Sequence, residues 1–90
     1  MKLEHLADVA DALGEVLDAV GHHAAAWIVR RDNPNETALT AIVREVEPDA
    51  SLPSDQRELF LRALREWGAH RYHAARATLR ELDALRGGSQ

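Results

Sequence analysis

The chain has 90 residues, a net charge of −4, no cysteine, and a composition that is 46% hydrophobic and 29% charged. That profile fits one globular domain and excludes disordered, collagen-like and disulfide-built chains, as well as thiolate metal sites and thiol nucleophiles. No apolar run approaches the ~20 residues of a membrane span, and Glu4 follows the start too closely for a secretory signal.

Residues 3–31 read as one long helix. Leu6, Val9, Leu13, Val16, Leu17, Val20, Ala24, Trp27 and Ile28 fall in a stripe roughly 120° wide at 100° per residue. Glu4, Asp8, Asp11, Glu15 and Asp18 take the opposite face, where His22 lies one turn from Asp18 as a solvated ion pair. Gly14 and Gly21 each weaken the helix by about 1 kcal/mol relative to alanine, so Gly21-His22-His23 is the expected place for a bend.

Asn33-Pro34-Asn35-Glu36 signals a second helix over about 34–46. Asn33 would be the N-cap, Pro34 the first helical residue, and Glu36 the partner in a capping box. Leu39, Ile42, Val43 and Val46 form its apolar face, and Pro48 ends it. The run from Pro48 to Pro53 is a rigid turn.

Ser54 is the expected cap of a third helix over about 54–86, with Asp55 in its first turn. Phe60, Leu64, Trp67, Ala74, Thr78, Leu82 and Leu85 share one face, interrupted by Arg71. Residues 87–90 are expected to be a flexible tail. The alternation of a strand occurs nowhere, so the expected fold is all-α, with three helices in a long-short-long order.

Charge is unevenly placed along these elements. Residues 1–20 sum to −4, residues 21–53 to −2, and residues 54–90 to +2. Opposite signs in one chain favour helix packing on helix, and the basic excess is too small for a nucleic-acid footprint. Ten arginines against one lysine fit the coding bias of a GC-rich bacterium, and the expected location is cytoplasmic.

Size then raises the question of cover. A 29-residue helix is about 44 Å long, whereas a compact chain of this length has a diameter of about 31 Å. Unbent helices would expose their stripes, so a homodimeric helical bundle is expected. Its interface would use Leu13, Val16, Val20, Trp27, Phe60, Leu64, Trp67 and Arg71, the last pairing with an acid to set register.

Candidate chemistry gathers in the last third. On one helix Glu66, His70 and His73 would lie within about 60° of each other, a face able to hold a divalent metal, with His23 or His5 as a further ligand. No cofactor is otherwise expected, and Ser51 and Ser54 lack the histidine and aspartate that would activate a serine.

Arg65 and His70 are spaced Arg-x4-His, and Tyr72 follows at one remove. This string resembles the Arg-x4-His-x-Tyr signature of HEPN-type ribonucleases, all-α proteins that work as dimers. The resemblance implies catalytic roles for Arg65 and His70 across a dimer cleft and an accessory role for Tyr72. Glu66 stands where that family favours an amide or aspartate. The long-short-long plan also resembles the small helical chorismate mutases, but the basic residues that those enzymes place along the first helix are missing here.

Two functional expectations result. The first is a small non-enzymatic helical module for protein–protein interaction or regulation, acting as a homodimer or with another protein. The alternative is a ribonuclease or metal-binding bundle built on Arg65, Glu66, His70 and His73.

Overall fold

The computed structural model describes residues 2–31 and 35–87, with side chains for 8–31 and 35–87. Among these residues the structure is entirely helical: α1 (Lys2–Ala19), α2 (His23–Arg31), α3 (Glu36–Val46), α4 (Ser54–Gly68) and α5 (Tyr72–Arg86). Five helices replace the three expected, because each long helix breaks once.

The first break falls at the expected place. Gly21 takes a left-handed conformation with φ of 91°, which has no steric cost without a Cβ. Its N–H donates to the Asp18 carbonyl (3.1 Å) and that of His22 to the Leu17 carbonyl (2.8 Å). This double reverse bond closes a helix C-terminus and redirects the chain.

The second break overturns the single helix expected over 54–86. His70 takes φ of 63° and plays the part of Gly21. Its N–H donates to the Trp67 carbonyl (3.1 Å) and that of Arg71 to the Glu66 carbonyl (2.8 Å). A left-handed non-glycine residue costs roughly 1–2 kcal/mol. The reversal folds α5 back so that Ala75, Thr78, Leu79 and Leu82 are buried. A fully buried leucine is worth about 1.5–3 kcal/mol, so packing outweighs the local strain. Gly68, the nearby glycine, ends α4 in a right-handed turn. A Cβ there would lie 2.8 Å from Leu39 Cδ2, so this glycine admits α3 against α4.

Smaller corrections concern the caps. The N-cap of α3 is Asn35, whose side chain accepts from the Ala38 N–H at 2.8 Å, so the helix begins at Glu36. The expected cap Asn33 and first residue Pro34 lie outside the described residues. Ser54 is the first residue of α4 and makes no capping bond; Pro53 precedes it. The turn before α4 is instead held by Arg57 Nη1, which donates to the carbonyls of Asp49 (2.6 Å) and Leu52 (3.2 Å).

Each helix packs on its neighbour in the chain, and α5 returns against α1 to close a ring. Trp67, Phe60, Leu13, Leu17, Ile42, Leu64 and Leu82 lie almost wholly buried inside it. The radius of gyration is 11.9 Å and the longest dimension 31 Å, shorter than an unbroken first helix would be. The two bends therefore cover most of both apolar stripes within one chain, although Ala24, Trp27 and Leu85 stay exposed and α2 buries Ala25, Ala26 and Val29 instead.

That result corrects most of the expected dimer interface. Leu13, Val16, Phe60, Leu64 and Trp67 belong to the internal core, and Val20 packs half-buried against it. Arg71 is not in an apolar seam: it precedes α5 and is exposed. Trp27 alone of that set is a large exposed apolar side chain, at 59%.

Candidate functional site

The second break disperses the residues expected to carry chemistry. Glu66 is on α4, His70 on the connection, and His73 on α5, so the single helical face proposed for a metal does not exist. Among the described residues no three histidine or acidic side chains converge on a possible metal position. His5 lies where side chains are not described.

Glu66 has another partner. Thr78, fully buried, shares its hydroxyl proton between Glu66 Oε1 (2.7 Å) and the Ala74 carbonyl (3.0 Å). Arg62 approaches Glu66 at 3.7 Å and Glu81 at 3.6 Å. The carboxylate thus ties α4 to α5, giving a buried hydroxyl the acceptor it needs.

His70 and Tyr72 are brought together, with a hydrogen bond of 2.7 Å between His70 Nδ1 and Tyr72 Oη and rings packed edge to face. Arg65 lies elsewhere, in a shallow depression with Asp55, Glu58, Leu59, Arg62 and Leu85. Two of the three ribonuclease-like residues therefore meet within the chain.

Histidines at the first break pair differently from expectation. His23, not His22, binds Asp18: its Nδ1 donates to Oδ1 at 2.8 Å, while Arg30 Nη1 donates to Oδ2 at 2.7 Å. These two donors hold the Asp18 carboxyl below its ordinary pKa, hydrogen bonding to His23 contributing most. His22 turns inward and reaches across the fold. Its Nε2 donates to Asp49 Oδ2 at 2.6 Å, and Nδ1 lies 3.6 Å from Glu45.

Asp49 is the hub of the turn between α3 and α4. Its Oδ1 accepts from the Ser51 hydroxyl (2.5 Å) and the Ser51 N–H (2.9 Å). These bonds, in that order, and then the bond from His22 lower the carboxyl pKa to about 2, against a small opposing effect of burial. Spacing alone gave Ser51 no such neighbours, because His22 is 27 positions from Asp49. The order is serine–carboxylate–histidine, so the imidazole faces Asp49 rather than the hydroxyl. A serine nucleophile needs the histidine next to it; this cluster is a clamp.

Trp27 is the clearest surface anomaly. Its ring lies under the Arg31 guanidinium, 4.6 Å from centroid to Cζ. Asp18, His23 and Arg30 complete a shallow depression around it. The chain's other tryptophan, Trp67, is fully buried, and its indole N–H has no acceptor among the described residues. No helix among the described residues is long and apolar enough to cross a membrane. Comparison with protein-family models, curated proteins and solved structures found no match.

Proposed function

We propose that the chain is a small, non-enzymatic helical module for protein–protein interaction, with the Trp27 face of α2 as a docking surface. The observation that carries this reading is the exposure of Trp27 at 59%. Tryptophan and arginine are the residues most enriched at binding hot spots, and here the two are stacked. Stacking restricts the indole before any partner arrives, which lowers the entropy of docking. Arg31 would pair with a carboxylate on the partner while the ring enters an apolar recess.

Photocrosslinking in cells tests the reading. A photoreactive residue at position 24, exposed one turn before Trp27 on α2, should capture a discrete protein, and one at Thr40, exposed on the outer face of α3, should not. Trp27→Ala should weaken binding of that protein at least tenfold while changing stability by less than about 0.5 kcal/mol, as expected for a surface site. Identical products from both positions, or none, would remove the basis of the proposal.

A further inference from the structure

A second surface, separate from Trp27, lies where α5 closes the ring against α1. There an open groove of about 390 Å³ runs between the two helices. Its α1 wall carries Asp8, Asp11 and Glu15, and its α5 wall carries Arg76, Arg80 and Arg86, with Asp83 also on the α5 side. Val16 and Leu79 lie between the walls. Asp8 and Arg76 meet across the groove at 3.6 Å, both about half exposed. Asp11, Glu15, Arg80 and Arg86 make no hydrogen bond or ion pair among the described residues.

From this groove we infer that a second copy of the chain docks there, acidic wall against basic wall. The symmetry of the charges carries the argument. From the Asp8–Arg76 pair the lining residues climb in number along both helices, so the walls run in the same chain direction. A two-fold axis laid along the groove brings the acidic wall of one copy opposite the basic wall of the other. It also keeps each residue's height, setting Asp11 near Arg80 of the second copy and Glu15 near its Arg86. A two-fold axis laid across the groove would oppose acid to acid. Isologous pairing of this kind is the commonest form of protein oligomer.

The same charges argue against other occupants. Mixed signs oppose a polyanion, and the Asp8 and Arg76 side chains, 56% and 44% exposed, are too wet to grip a small molecule by themselves. Exposed charges of opposite sign instead steer encounter and fix register between proteins. The inference is independent of the Trp27 face, so either can fail alone.

Sedimentation of the full chain tests it, using charge reversals at exposed positions. Wild type should form a dimer at low salt, with association weakening at least tenfold near 0.5 M salt as screening shortens to about 4 Å. Asp11→Arg with Glu15→Arg makes both walls basic; Arg80→Glu with Arg86→Glu makes both acidic. Each double variant should be monomeric with wild-type helicity by circular dichroism. An equimolar mixture of the two should form a heterodimer. A wild type that stays monomeric at every concentration overturns the inference. So does a dimer indifferent to both reversals, or a pair of monomeric variants that fail to combine.

Discussion

The two breaks, at Gly21 and at His70, are the same backbone device built from different residues. Both close with paired reverse hydrogen bonds of 3.1 and 2.8 Å, and both hold a left-handed residue at the corner. They differ in what secures them. The first corner is tied to a distant part of the fold, because His22 reaches Asp49 in the turn before α4. The second has a local side-chain tie, from His70 to Tyr72 two residues on. The first uses a glycine, which needs no compensation for its conformation. The second uses a histidine and relies on the burial of Trp67, Leu79 and Leu82 to offset the strain. A reversal can therefore be specified locally by a residue that fits it, or imposed by packing on one that does not.

That contrast can be broken from either side. The largest effect is expected from Gly21→Val, which puts a β-branched residue at φ of 91°; it should cost about 2 kcal/mol. In a domain of this size that lowers Tm by roughly 10 °C, measurable by thermal or urea unfolding. A value near zero would mean that the corner is not held left-handed. His70→Gly should act in the opposite direction. Relief of roughly 1–2 kcal/mol of left-handed strain, less the ~0.5–1 kcal/mol entropic cost of glycine and the exposed bond to Tyr72, leaves a gain of about 0.5 kcal/mol. A loss in urea unfolding would show that the imidazole matters more than the backbone.

A third effect is confined to acid and separates the two corners. The Asp49 pKa is depressed to about 2 from 3.8. Its contribution to stability is thus complete above its ordinary value and disappears as pH falls through about 2. Thermal unfolding between pH 4 and pH 2 should show a steeper loss in wild type than in Asp49→Asn. Tyr72→Phe, at the other corner, should retain the wild-type slope. Equal slopes in wild type and Asp49→Asn would deny the clamp its role.

The candidate sites show where reading the sequence ran out. The Asp18–His23–Arg30 group spans 12 positions around a visible glycine, yet helical spacing assigned Asp18 to His22. Helical spacing assumes an unbroken helix, and here the helix stops at Ala19. The metal face of Glu66, His70 and His73 failed for the same reason at the second corner. His22 with Asp49 and Thr78 with Glu66 are tertiary pairs, and no local pattern announces either of them.

By itself the sequence determined the all-helical class, the apolar faces of α1, α3 and α4, the ends of α3 and α5 near Val46 and Arg86, and the bend at Gly21. These follow from periodicity, proline, and the one residue type that adopts left-handed backbone without strain. Only the tertiary structure decided that the third predicted helix folds in two at His70. Burial along α5 outweighs a local penalty there, and local sequence reports the penalty without the burial. The same packing covered most of both apolar stripes within one chain, leaving Trp27 and the charged α1–α5 groove as the surfaces to test.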